Sequence, residues 1–330
     1  MKNLAIVGGG SWGTALAIVL APRFASTRLW VFESDLAVRM RTSRVNDLYL
    51  PGVVLPDAVQ ITSALPEALE SADIVLSVVP SHLVRRIHGQ MRACLPPGAL
   101  LVSATKGLEN HTLLRMSQVI GEVCGRDVCT AVISGPSFAR EVARGEPTAL
   151  VAASDDPDAA SAVQAAFSGP TFRVYTSPDT TGVEIGGSIK NIVAIGAGVL
   201  HGLGLGHNAM AALITRGLAE MTRLAVAMGG KPLTLAGLAG LGDLVLTCTG
   251  ELSRNRTVGV ELARGRNLDE ITGSMKMVAE GVKTTDAAVD LAARYGVEMP
   301  IAEQMFQVLH GGISPREAIQ RLMERSLKGE

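Results

Sequence analysis

The sequence is poor in aromatic residues: two Trp, three Tyr and six Phe make up 3% of 330 residues. It also lacks any block of like charge. Thirty Lys and Arg stand against thirty-one Asp and Glu, a formal net charge of -1. The chain therefore offers no basic stripe of the kind that a phosphodiester backbone or an anionic bilayer surface requires, and no nucleic-acid partner is expected. Cysteine is scarce as well. Cys94, Cys124, Cys129 and Cys248 form no C-x-x-C pair and have no histidine at metal-ligand spacing, so no metal is expected and the thiols read as reduced and mostly buried. Long apolar runs are also missing. Only Leu4 to Val7 separate Lys2 and Asn3 from the first glycine, too few for the apolar region of a secretory signal. The longest apolar stretch, 192–206, is interrupted by His201 and several glycines, which disfavours a span of about 20 residues. The expectation is a cytoplasmic protein without a membrane span, in which 192–206 is a buried helix end plus loop.

Glycine, by contrast, reaches 36 residues, and 330 residues exceed one compact core of usual size, so two domains are expected. The run Leu4-Ala5-Ile6-Val7 leads straight into Gly8-Gly9-Gly10-Ser11-Trp12-Gly13 and then Thr14-Ala15-Leu16-Ala17, which reads as strand, glycine turn and helix. In that pattern Gly8 permits the tight turn, Gly10 lets the backbone approach a pyrophosphate, and Gly13 allows helix to pack on strand. The free N–H groups at the helix start face the anion. Further β-type runs at 29–32, 74–79, 100–103, 128–133 and 149–152 alternate with helical patterns, as in a parallel sheet with crossover helices. Polar or glycine-rich segments follow these runs at 33–35, 103–107 and 134–137, where ligands of such sheets collect. After about residue 180 the β-type runs stop, and helical patterns occupy 181–199, 208–228, 233–238, 284–294 and 315–327. The fold class is thus α/β: an N-terminal Rossmann-type doubly wound parallel sheet, residues 1–180, followed by an all-α C-terminal domain, residues 181–330, with the site between them.

Within 181–199, Gly186, Lys190, Ala194 and Gly198 recur every four residues. One lysine therefore stands on a helix face otherwise made of hydrogen and methyl side chains. Such a face packs tightly against something, and an ammonium in its middle needs a partner or a chemical role. Ser253-Arg254-Asn255-Arg256, taken alone, reads as a solvated loop or helix cap.

These segments, in order along the chain, carry a resemblance. Gly8-Gly9-Gly10-Ser11-Trp12-Gly13, Tyr49-Leu50-Pro51-Gly52, Thr105-Lys106-Gly107, Gly135-Pro136-Ser137-Phe138-Ala139, Gly187-Ser188-Ile189-Lys190-Asn191, Leu213-Ile214-Thr215-Arg216-Gly217, Gly240-Leu241-Gly242-Asp243 and Thr247 to Arg256 resemble the NAD(P)-dependent sn-glycerol-3-phosphate dehydrogenases of the bacterial type. The resemblance implies reversible hydride transfer between NAD(P)H and dihydroxyacetone phosphate, giving sn-glycerol 3-phosphate for glycerophospholipid synthesis, and a homodimer. Lys190 matches the family's catalytic lysine. Ketone reduction needs a proton donor at the carbonyl oxygen, and a lysine serves if burial and a neighbouring cation, here Lys106, lower its pKa. By the same match Asp243 orients Lys190 or binds a substrate hydroxyl, and Lys106 contacts substrate and cofactor. Ser253, Arg254 and Asn255 clamp the phosphate, with Arg254 also reaching the cofactor. Ser11 and Trp12 lie against the cofactor, Gly135 and Ser137 line the substrate pocket, Ala139 touches the dinucleotide, and Val278 and Glu280 occupy late cofactor-contact positions.

Two positions depart from the family. Members using the phosphorylated dinucleotide tend to carry arginine or histidine after the second strand, where this chain has Glu33, 20 residues beyond Gly13. A carboxylate there holds free ribose hydroxyls and repels a 2′-phosphate, so NAD is expected to be accepted at least as well as NADP, unless Arg39 or Arg41 on the next helix reverses that preference. The other departure is His207, at an often acidic position. The alternatives are a related hydroxyacid dehydrogenase or ketopantoate-type reductase, which would bind a carboxylate, and a non-catalytic dinucleotide sensor. A histidine-driven mechanism through His82 is a further alternative.

Overall fold

The computed structural model describes residues 2–125, 128–275 and 279–327. Val278 lies outside the described residues. An eight-stranded sheet holds the N-terminal half, in the order β10-β9-β8-β7-β6-β1-β2-β5. Its strands are β1 (Asn3–Val7), β2 (Ser26–Trp30), β5 (Val59–Thr62), β6 (Ile74–Ser77), β7 (Leu100–Ser103), β8 (Thr130–Ser134), β9 (Thr148–Ala153) and β10 (Phe172–Ser177). A small hairpin, β3 (Val45–Asn46) with β4 (Leu50–Val54), stands apart. Strand order reverses at β1, which pairs in parallel with both β2 and β6. A crevice opens beyond the carboxyl ends of strands at such a point. Successive residues of β1 point to opposite faces: Leu4 and Ile6 join one buried cluster, Ala5 and Val7 another.

The sheet is parallel from β5 to β8, but β8 and β9 pair antiparallel, and β10 follows β9. The segment joining β8 to β9 explains the reversal. Its only helix, Ala139–Ala143, has five residues and rises about 7.5 Å, too little to return the chain along a strand of about 17 Å. The chain therefore turns back beside β8 instead of crossing over.

The central helix, Thr180–Gly202, starts three residues after β10 and is buried at every residue from Gly182 to Leu200. It is long and apolar enough to cross a membrane by length and composition, but its apolar window is wholly buried, the pattern of a core helix. The segment Pro232–Thr249 passes the same test with 39% of its window buried. Beyond the central helix the described residues form helices only, packed as a separate core around Ile189, Ile192, Met221, Leu244 and Val258. The stretch 192–206 is a helix end plus loop, as expected. The helix Arg254–Ala263 crosses the central helix backbone to backbone. A Cβ on Gly198 would fall 2.0 Å from the Arg256 carbonyl oxygen, and one on Gly259 would fall 1.9 Å from that of Ile195. Of the cysteines only Cys248 is buried; Cys94 and Cys124 are half-buried and Cys129, just before β8, is exposed, which corrects the expectation of mostly buried thiols.

Candidate active site

Three chain segments bring Lys190, Asp243 and Lys106 together. Lys190 is on the central helix, Lys106 follows β7, and Asp243 begins the helix Asp243–Thr249. Immediately before Asp243, residues Leu238–Gly242 form a π-helical turn, a feature common at functional sites. The central helix makes room for it: a Cβ on Gly186 would lie 2.6 Å from the Ala239 carbonyl oxygen. The small-residue face thus packs tightly at Gly186 and Gly198, and Lys190 between them has partners. Both readings of that face hold at once.

The Asp243 carboxylate bridges the two lysines. Oδ1 accepts from Lys190 Nζ at 2.7 Å and Oδ2 from Lys106 Nζ at 2.7 Å. Lys190 also reaches Thr247 Oγ1 at 2.6 Å, and Lys106 donates to the Gly135 carbonyl oxygen at 3.1 Å. The Ser137 hydroxyl donates to that same oxygen. The Lys190 and Asp243 side chains are 7% and 2% exposed, whereas that of Lys106 is 18% exposed. Burial lowers the Lys190 pKa to about 8; Asp243 opposes the shift and Lys106 adds to it. Lys106 thus acts in the direction expected of a neighbouring cation. Burial pushes the adjacent Cys248 thiol up to about 12, which keeps it neutral.

The Ser253 side chain caps the helix Arg254–Ala263 by accepting from Arg256 N–H, so the segment is a helix cap. Both Ser253 and Asn255 are buried. Asn255 donates one amide hydrogen to Asn191 Oδ1 and accepts from Gly281 N–H, each at 2.9 Å. This leaves Asn255 one N–H and Ser253 its O–H as further donors. Arg254 is exposed at the start of the helix, within electrostatic reach of Glu280. Glu280 accepts from Ser81 N–H at 3.4 Å, and burial raises its pKa against the opposing effect of Arg254.

At the switch point, Gly8 has φ +125°, and a Cβ there would meet the Val78 carbonyl oxygen at 2.7 Å. One on Gly13 would lie 1.9 Å from Gly8 O, whereas Gly10 has no atom within 4 Å of its Cβ position. Packing therefore requires Gly8 and Gly13, while the space beside Gly10 is open. Ser11 and Trp12 start the helix Ser11–Leu20, and Ala139 starts Ala139–Ala143. Glu33 immediately precedes the helix Ser34–Ser43 without a side-chain capping bond, and it accepts from Tyr49 Oη–H at 2.7 Å. Arg39 is paired with Asp47, and Arg41 is on the same helix. His82 is exposed on the short turn Ser81–Leu83, and among the described residues it makes no hydrogen bond to Lys190, Asp243 or Lys106. His207 begins the helix His207–Ala227.

Sequence reasoning assigned no role to Thr247, Asn191, Asn46 or Ser188. Thr247 stands four residues after Asp243, so helical spacing could have found it. Ser188 accepts from Gly107 N–H at 2.9 Å, and its position two residues before Lys190 gives no hint of that.

Comparison with known proteins places both halves. Residues 3–160 match the family described as NAD-dependent glycerol-3-phosphate dehydrogenase N-terminus, and residues 179–320 match its C-terminus. The chain is 54% identical to glycerol-3-phosphate dehydrogenase [NAD(P)+] of Geobacter sulfurreducens, over 100% of this chain and 99% of that one. It is 56% identical to the protein of the same description in Koribacter versatilis, over 98% of each. A crystal structure of glycerol-3-phosphate dehydrogenase from Coxiella burnetii is 43% identical and superposes with a TM-score of 0.94, covering 98% of this chain and 99% of that one.

Proposed function

We propose, since this chain belongs to the NAD-dependent glycerol-3-phosphate dehydrogenase family, that Lys190 moves the proton in reversible hydride transfer between NAD(P)H and dihydroxyacetone phosphate. The product is sn-glycerol 3-phosphate, a precursor for glycerophospholipid synthesis. The observation that carries this reading is the Asp243 carboxylate shared by Lys190 and Lys106. In the reducing direction the Lys190 ammonium gives its proton to the carbonyl oxygen, and in the oxidising direction the neutral amine takes it from the hydroxyl. Asp243 and Thr247 fix the nitrogen in either state. Lys106, more exposed than Lys190, would touch substrate and cofactor.

The substrate phosphate is assigned to the Ser253 hydroxyl, the Arg254 guanidinium and the remaining Asn255 N–H, at the N-terminus of a ten-residue helix. Gly135 and Ser137 line the pocket beside it. Gly8, Gly10, Ser11, Trp12, Gly13, Glu33, Ala139, Arg254 and Glu280 would hold the dinucleotide, and the open space at Gly10 fits a pyrophosphate. When bound, the nicotinamide supplies or accepts the hydride. Residues 1–180 form the dinucleotide domain and 181–330 the helical substrate domain in this reading. The protein would act in the cytoplasm as a homodimer, with self-association covering exposed apolar side chains such as Leu233 and Val245.

The carboxylate-binding alternative and the silent sensor are not favoured, since both halves match a dehydrogenase family. The test is loss of reduced-nicotinamide absorbance with dihydroxyacetone phosphate, using NADH and NADPH in parallel. Ketopantoate and unphosphorylated dihydroxyacetone serve as controls. Turnover confined to the phosphorylated ketone is expected; turnover of ketopantoate alone would overturn the substrate assignment.

A further inference from the structure

The β3–β4 hairpin plays no part in the proton chemistry, yet it reaches both the glycine turn after β1 and the residues that follow β2. Asn46, fully buried, donates its amide to the Gly9 carbonyl oxygen and to Thr14 Oγ1, each at 2.8 Å. The hairpin is thereby pinned to the glycine turn. Asn46 Oδ1 accepts from Tyr49 N–H at 2.9 Å, and Tyr49 Oη–H donates to Glu33 Oε1 at 2.7 Å. In the same turn Asp47 takes the Arg39 guanidinium through two hydrogen bonds, at 3.0 and 3.2 Å.

Glu33 stands at the carboxyl end of β2, where an acidic side chain meets the ribose hydroxyls in this fold class. We propose that the β3–β4 turn makes this site select NAD(H) over NADP(H), with Tyr49 as the positioning residue that fixes the Glu33 carboxylate and Asp47 drawing Arg39 away from a 2′-phosphate. Tyr49 occupies one carboxylate oxygen and leaves Oε2 for a ribose hydroxyl. A fixed anion at that point repels a 2′-phosphate, and a swinging one would evade it. Burial and the contact with Glu33 push the Tyr49 phenol up to about 12, so it remains a donor throughout the neutral range. Arg39 and Asp47 are each about half exposed (49% and 55%), so Asp47 offsets the arginine without removing it and Glu33 is the stronger determinant.

The inference rests on the dinucleotide reading of the Gly8–Gly13 turn, and the experiment keeps the two apart. Calorimetric titration of the full chain with NADH and with NADPH gives the ratio of dissociation constants for the wild type, Glu33→Gln and Tyr49→Phe. Turnover of dihydroxyacetone phosphate is measured alongside. Wild type should bind NADH on the order of tenfold or more tightly than NADPH. Glu33→Gln should close the gap mainly by tightening NADPH, and Tyr49→Phe should close it partway, since the carboxylate remains but loses its fixed position. Equal or tighter binding of NADPH by the wild type overturns the inference, as does a Tyr49→Phe ratio equal to that of the wild type. Turnover in the absence of selection defeats this inference alone. Selection without turnover supports it and defeats the substrate assignment, while failure to bind either dinucleotide overturns both.

Discussion

At Lys190 two effects of different origin oppose each other. Burial favours the neutral amine, Asp243 favours the ammonium, and Lys106 sides with burial, leaving the pKa at about 8. The direction of the pH dependence follows. Ketone reduction consumes the protonated form, so its kcat/KM should fall as pH rises through about 8, while that of alcohol oxidation should rise over the same interval. Asp243→Asn removes the influence that holds the value up and should move both midpoints to lower pH. Lys190→Ala should reduce turnover by roughly a hundredfold or more, the loss expected for a general acid, and His82→Ala should retain most of it. Steady-state rates across a pH series check all of these, and the reverse ranking of the two alanine variants would remove Lys190 from the proton path. The lysine was legible in the sequence because a lone cation on a small-residue face has few explanations. Asn46 was not, because its partner Gly9 lies 37 residues away and no local spacing encodes the contact.

The glycine turn shows at the scale of an element how packing and function separate. Gly13→Ala would drive a Cβ to 1.9 Å from a backbone oxygen, and the helix could not keep its seat on β1. Gly10→Ala meets nothing within 4 Å, so the fold should tolerate it. Thermal melting should therefore drop markedly for Gly13→Ala and stay near wild type for Gly10→Ala. NADH titration of Gly10→Ala should nevertheless show weaker binding by about tenfold, equivalent to about 1.4 kcal/mol. Unchanged affinity would mean that no ligand backbone approaches Gly10. Apolar runs and punctuation made β1, β6, β7, β8 and β9 readable, whereas the run at 29–32 meets only the last two residues of β2 (Ser26–Trp30). The edge strands were harder: β10 alternates buried and exposed residues from Phe172 to Tyr175 and lacks a continuous apolar run. The reversal at β9 depends on the length of a single short helix, which an apolar pattern does not report. The π-turn before Asp243 was equally invisible, since Gly240 and Gly242 read as loop signals.

Across the whole molecule, the two halves are tied by side chains that bracket the chemistry. Lys106 reaches Asp243, Gly107 reaches Ser188, and Ser81 reaches Glu280. Six residues before Lys190 on the central helix, Glu184 accepts from Arg115, from Ser117 N–H at 2.8 Å and from Ser117 Oγ–H at 2.6 Å. The Arg115 and Glu184 side chains are 14% and 5% exposed, so removing the carboxylate strips a largely buried guanidinium of its counter-ion, leaving it the Ser117 hydroxyl, and takes the acceptor from Ser117 N–H. Loss of one partner of a buried pair costs about 3 kcal/mol or more. Glu261, 19% exposed, pairs with Arg264 and Arg266 just beyond the end of its helix, 64% and 40% exposed, and such solvent-screened pairs should cost under about 1 kcal/mol when the carboxylate is removed. Glu184→Ala should therefore lower the urea midpoint clearly more than Glu261→Ala. It should also leave the Lys190 pH profile in place, because Glu184 touches neither Lys190 nor Asp243. Equal midpoints for the two variants would show that the halves do not depend on this pair. A displaced pH midpoint in Glu184→Ala would show instead that the seat of the central helix on the sheet half sets the electrostatics of its lysine, and that the proton chemistry depends on how the halves are joined.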